Sequence, residues 1–222
     1  MSESSVVQRT VVQRTVVERA VDLRERRRRA TLAEITEAAV TLFEQNGLAA
    51  TTVHDIAAAA GISDRTCFRY LPSKEESVLT LHTEFEEPLA GWLADVAVDE
   101  PVLPQLEAVY ASVLQDLDGP LAPVARQQLR VRRLMFTEPA LRAAAVSLDA
   151  TRSWELARQI DAAFDGRLLP EQARLITEYA GVALRQAFDS WAESVDAGFT
   201  ATLVEAYAAT RRRLAEIAAL TV

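Results

Sequence analysis

From residue 30 onward apolar side chains recur at three- and four-residue steps and no stretch alternates with the period of a strand, so the chain is expected to be all-α. Leu32, Ile35, Ala39, Leu42 and Phe43 share one face of a first helix that stops at Gly47, a residue suited to the left-handed position after a helix end. Thr52, with Asp55 three residues on, opens a second helix that turns Ile56, Ala57 and Ala60 inward and ends at Gly61. Ser63 caps a short third helix through Tyr70, and Leu71-Pro72 breaks it. Ser73 with Glu76 then opens a long fourth helix, whose stripe of Val78, His82, Phe85, Leu89, Trp92 and Val96 carries Pro88 inside it and is expected to kink there. Helix, glycine-containing turn of about four residues, helix: this is a helix-turn-helix layout. Pro101, Pro104, Gly119-Pro120, Pro139, Gly166 and Pro170 cut the remainder into helices of ordinary length. The expected division is 1–29, 30–74 and 75–222.

Composition removes several rival classes. The seven glycines, at 47, 61, 91, 119, 166, 181 and 198, are too sparse for any phosphate-cradling glycine motif. One cysteine excludes an internal disulfide and a thiolate zinc cluster, and the two histidines, His54 and His82, fall in no metal-ligand spacing. No metal or cofactor is expected. No run approaches the roughly 20 apolar residues of a membrane span, so the expected location is the cytoplasm, with no membrane partner.

Charge is uneven. Residues 1–74 carry eleven basic and nine acidic side chains, a net of +2, against −10 for the rest of a chain whose total is −8. Only the N-terminal third would tolerate a polyanion. Residues 6–20 repeat a five-residue unit, VVQRT, VVQRT, VVERA, a period that keeps no steady face on a helix or strand, and a disordered or fraying Arg-rich extension is expected over 1–29. It runs into Arg24 and Arg26 to Arg29, either a solvated helix start or an arm that lies on phosphates or in a minor groove.

The segment ATTVHDIAAAAGISDRTCFRYLPSKEESVL, Ala50 to Leu79, resembles the DNA-binding signature of the TetR family of bacterial regulators through its T-T-V, A-x-x-A-G-I-S and R-x-x-P-S-K-E frame. A major groove admits one helix and meets its N-terminal part, which makes Ser63, Asp64, Arg65 and Phe68 the base readers. Arg65 suits a guanine edge and Phe68 a thymine methyl; Asp64 suits a cytosine amine, or weakens non-specific binding near phosphates, or holds Arg65 in place. The resemblance places Thr52, Thr66, Tyr70 and Lys74, the only lysine, on backbone phosphates. Cys67 and Leu71 are expected to face the core of the small domain, and His54 to lie on the exposed side of the second helix.

For residues 75–222 the resemblance implies a helical ligand-binding and dimerisation domain whose last two helices pair with a partner's. Ala180, Ala183, Leu184, Ala187, Phe188 and Trp191 define one candidate dimer face, and Leu203 and Tyr207, with Phe199, Ala206 and Leu214, another; either face suits intramolecular core as well. The phrases S-D-R-T-C-F-R-Y-L-P-S-K-E and R-R-L-M-F-T-E-P-A-L-R-A are similar to the branch of that family that includes regulators of mycofactocin operons, whose second domain is described as acyl-CoA-like ligand binding. That implies an effector pocket lined by Phe85, Trp92, Leu134, Phe136 and Trp154, with Arg130 or Arg133 near a phosphate-bearing head and His82 as a polar group. The expected function is a ligand-responsive repressor, not an enzyme, that binds an inverted-repeat DNA operator as a homodimer and is released by a small amphipathic or apolar effector. The alternatives are a helical enzyme working through carboxylates such as Glu84, Glu86 and Glu87, and a helical protein-interaction scaffold.

Overall fold

The computed structural model describes residues 26–119 and 122–219. The repeat at 6–20 and Arg24 lie outside the described residues. The described part is all-helical: α1 (residues 26–46), α2 (Val53–Ala59), α3 (Asp64–Tyr70), α4 (Thr83–Ala94), α5 (Val102–Asp118), α6 (Ala122–Thr137), α7 (Pro139–Ala163), α8 (Pro170–Asp196) and α9 (Leu203–Ala218). It divides into two compact units between Ser77 and Val78. Arg26 to Arg29, expected in the extension, already belong to α1.

The first unit is built by local rules. Leu32, Ile35, Ala39, Val40 and Phe43 are buried on one side of α1, and Gly47 takes a φ of 79° with its N–H donated to the Phe43 carbonyl at 2.9 Å, a left-handed exit that a side chain would strain. At the start of α2 the Thr52 hydroxyl accepts from Asp55 N, while the Thr52 N–H and hydroxyl donate to the Asp55 carboxylate at 2.9 and 2.6 Å. These bonds hold the Asp55 carboxyl below its ordinary value of 3.8. With a folded value lower than the unfolded one, its contribution is present above pH 3.8 and is lost as pH falls through the folded value.

The fourth helix departs from expectation. Ser73 does cap, accepting from Glu76 N at 3.2 Å, but the element it opens is a single turn of 3-10 helix, Glu76–Val78, and α4 starts only at Thr83. The cause is competition for carbonyls by side chains. Ser77 donates its hydroxyl to the Lys74 carbonyl, Thr83 donates to that of Thr80, and His82 Nδ1 lies 3.1 Å from that of Leu79. Pro88 does lie inside α4.

In the second unit α8 packs against α7 and α9, with α5 and α9 also in contact. Leu106, Leu114, Leu117, Ile160, Phe188, Leu203 and Tyr207 form its centre. Proline starts α7 and α8 at their first helical position, where a missing N–H is harmless. The start of α9 is capped twice, by a Thr202–Glu205 box and by the Asp118 carboxylate, which accepts from Leu203 N and Val204 N at 3.0 Å each. Among the described residues no helix is long and apolar enough to cross a membrane.

Candidate nucleic-acid interface

The four residues 60–63 connect α2 to α3, with Gly61 at φ 67°. An added Cβ there would meet no atom within 4 Å, so the requirement for glycine is conformational, not one of space. The Ile62 N–H closes the turn on the Ala57 carbonyl at 3.0 Å. Ile56 and Ala57 from α2 are buried, as are Cys67 and Leu71 at the inner side of α3. That leaves Ser63, Asp64, Arg65, Phe68 and Arg69 exposed along its outer side, Phe68 at 57%. An apolar ring kept in water by a rigid seven-residue helix is an interaction feature.

Each reader has its own setting. Ser63 accepts from Thr66 N at 3.2 Å and its hydroxyl lies 2.9 Å from that of Thr66. Asp64 does not hold Arg65; its carboxylate lies 3.1 Å from His54 Nδ1, a pairing between α2 and α3 that no sequence spacing announces. Among the described residues no carboxylate pairs with Arg65. Its guanidinium is thus a free bidentate donor.

The expected phosphate contacts are less available. The Thr52 hydroxyl donates to Asp55, and the Lys74 ammonium donates to the carbonyls of Leu48 and Thr51 at 2.6 and 3.0 Å, tying the loop ahead of α2 to the segment after α3. Tyr70 is half-buried beneath the Arg69 guanidinium, 5.2 Å from its ring centre. Beside it, Arg27, Arg28, Arg69 and Tyr70 line a cleft of about 500 Å³.

Cys67 is 2% exposed, and burial, then the Asp64 charge, raises its thiol above the ordinary value of 9.0. It is expected to be alkylated by iodoacetamide at pH 8 far more slowly in the folded chain than in urea; equal rates would show that α3 does not seat its inner side as described.

In the second unit the expected pocket residues differ in burial. Phe85 and Leu134 are buried, and Phe85 stacks edge-on against Tyr110 with ring centres 5.4 Å apart. Trp92 donates to Gln105 at 3.1 Å. Phe136 and Trp154 are half exposed, and Trp154 lies under Arg174 at 4.1 Å. Arg130 is half-buried, and Arg133 pairs with Asp196 through Nε at 2.9 Å. The buried arginine is instead Arg132, bonded to Asp189 at 3.0 Å and set 5.1 Å from the Phe188 ring centre. Burial lowers its pKa against the pull of Asp189. Runs of arginine gave no signal for this, because helical phase alone decides which one turns inward. On α4, His82 Nε2 lies 3.5 Å from Glu86, which with Glu87 is exposed, while Glu84 is half-buried. These carboxylates form no enclosed catalytic pair.

The residues of the expected dimer face lie in the chain's own packing. Ala180, Ala183, Ala187, Phe188, Trp191, Leu203 and Tyr207 are buried within the single chain, and Leu184 is packed against them. The apolar side chains left in water on α7 and α8 are Val146, Trp154, Leu175 and Val182.

Residues 35–79 match the family model described as "Bacterial regulatory proteins, tetR family". The chain is 35% identical over 106 residues to the HTH-type transcriptional repressor KstR2 of Rhodococcus jostii, covering 47% of this chain and 52% of that protein. It is 32% identical over 142 residues to the HTH-type transcriptional regulator TcmR of Streptomyces glaucescens, 63% of each. Over 49 residues it is 49% identical to MftR of Mycobacterium tuberculosis, a protein named for regulation of mycofactocin biosynthesis, covering 22% of this chain and 25% of that one. The chain thus spans about half the length of the KstR2 proteins it matches. A solved structure of Thermus thermophilus FadR, a TetR family repressor in complex with lauroyl-CoA, is 22% identical with a TM-score of 0.44, covering 86% of this chain and 96% of that one. The match to the tetR family model falls on the stretch from α1 to the turn after α3, which holds the outward-facing Arg65 and Phe68.

Proposed function

We propose that this chain is a ligand-responsive transcriptional repressor that reads an inverted-repeat operator as a homodimer through α3. The observation that carries the reading is the exposed, carboxylate-free Arg65 beside the exposed Phe68, on a helix whose inner side is pinned by Cys67 and Leu71. A short rigid helix with such an outer edge fits a major groove. Two-fold pairing sets two such helices about 34–36 Å apart, hence the inverted repeat. The pairing surface is the outer side of α7 and α8, where Val146, Trp154, Leu175 and Val182 remain uncovered.

The second unit takes a small amphipathic or apolar effector, in the acyl-CoA-like class that the sequence resemblance implies, and its binding releases DNA. In support, Gln128 Nε2, Arg132 Nε, Tyr207 Oη, Thr210 Oγ1 and Arg211 Nε are buried there, polar groups with no hydrogen-bond partner among the described residues. Release needs only that the effector favour the non-binding state by a few kcal/mol.

A gel shift against the DNA upstream of the chain's own gene, with competitor DNA present, tests the reading. Salt-sensitive binding that survives competitor is expected, and Arg65→Ala is expected to lose about 1–3 kcal/mol of discrimination at one base pair while retaining non-specific binding. Sequence preference unchanged by that substitution would remove Arg65 from base reading.

A further inference from the structure

We propose that His54, on the helix that does not read bases, is a positioning residue for sequence selection: it fixes the Asp64 carboxylate so that this acid selects a cytosine in each operator half-site. The inference rests on the DNA-binding reading above. Both Asp64 carboxylate oxygens lie 3.1 Å from His54 Nδ1. A carboxylate only accepts, so Nδ1 carries the proton in this pair whether the ring is neutral or charged. The contact joins the second residue of α2 to the first residue of α3, across the turn that Gly61 closes in the left-handed region. The two side chains are 76% and 51% exposed. A pair so open to water adds little stability; what it sets is the place of the carboxylate.

An acid at this position needs such a tie. The first residues of a recognition helix meet base edges between two lines of phosphates, and a carboxylate left to rotate there is repelled by both without favouring any base. The neighbouring acid on α2 is already engaged, since the Asp55 carboxylate accepts from the Thr52 N–H and hydroxyl. His54 Nδ1 approaches Asp64 between its two oxygens, which leaves further lone pairs on each to accept from DNA. In the major groove cytosine offers only its amino donor, whereas thymine offers an acceptor and a methyl group and guanine offers two acceptors. A fixed carboxylate therefore attracts cytosine and repels thymine and guanine, while adenine, with one donor beside one acceptor, ranks between. Arg65, the next residue, is a donor only and follows the opposite rule.

The test is selection of duplexes from a randomised pool by the full chain, followed by anisotropy titration of the selected duplex with each base pair replaced in turn. The parent is expected to favour cytosine over thymine about tenfold at one half-site position. Asp64→Ala is expected to abolish that preference there and nowhere else. His54→Ala and His54→Phe, which keeps a ring but no donor, are expected to lose most of it at the same position. Combining His54→Ala with Asp64→Ala is expected to lose no more than Asp64→Ala alone. His54→Asn is expected to restore it, because the asparagine amide nitrogen takes the place of Nδ1. Circular dichroism melts of every variant report folding separately, and a tie that served structure alone would shift melting while leaving base preference in place.

Parent-like preference at every position in a folded His54→Ala or His54→Phe chain overturns the proposal. So does an equal loss of affinity for all sequences in those variants, which would make His54 a phosphate contact. If Asp64→Ala alters no position while Arg65→Ala still alters one, the proposal fails and the DNA reading stands. A parent that enriches no sequence from the pool overturns both.

Discussion

Replacing Phe188 with alanine is expected to lower the stability of the second unit by about 3–5 kcal/mol, as deletion of a fully buried aromatic ring does. Phe188 has no exposed surface, meets Trp191 edge-on at 6.3 Å between ring centres, and carries the Arg132 guanidinium over its face. Its removal therefore opens a cavity and also strips a stacked partner from a buried cation. For a unit of this size the melting midpoint is expected to fall by roughly 6–20 °C, read by calorimetry. Val182→Glu is the contrasting variant. Val182 is 41% exposed on the same helix, so the charge is expected to leave stability nearly unchanged and to convert the dimer proposed above to monomers in sedimentation. If Phe188→Ala instead separated protomers that melt like the parent, the assignment of this face of α8 to the chain's own core would fail.

Lys74→Met is expected to lower the stability of the first unit by about 2–3 kcal/mol, since each hydrogen bond from a charged donor is worth about 1.5–3 kcal/mol and the two carbonyls lose that partner in a part-buried site. Both carbonyls belong to buried residues, Leu48 and Thr51, and methionine keeps the apolar stem while deleting the ammonium. Urea unfolding monitored at pH 7 measures the loss. The salt slope of duplex binding by the folded variant separates this role from a phosphate contact: a structural lysine leaves it unchanged, whereas a phosphate-bound one flattens it by about one. A variant as stable as the parent with a flattened slope would restore the phosphate role expected from sequence.

These two residues mark where sequence reasoning stops. The capping of α2 by Thr52 and Asp55, the cap on α3 by Ser63, and the left-handed turn at Gly61 were legible because each depends on neighbours within four residues. The outer side of α3 was legible for the same reason, once Cys67 and Leu71 were read as inward. Lys74, by contrast, bonds carbonyls 23 and 26 residues away, and His54 meets Asp64 across the turn. Nothing in a residue's own surroundings along the chain announces such partners. The delayed start of α4 was hidden differently: its apolar stripe has helical spacing, but Ser77, Thr83 and His82 engage the carbonyls that a continuous helix would need.

Helical periodicity, caps and glycine turns determined from sequence alone that this chain is all-α and that α3 is presented by a helix-turn-helix, because those rules act within one or two helical turns. Which apolar side of α8 is core and which meets solvent was decided only in three dimensions. Both sides carry apolar residues, Ala180, Ala187 and Phe188 on one and Leu175 and Val182 on the other. Only the docking of α5, α7 and α9 distinguishes them, since burial depends on which surfaces other helices cover.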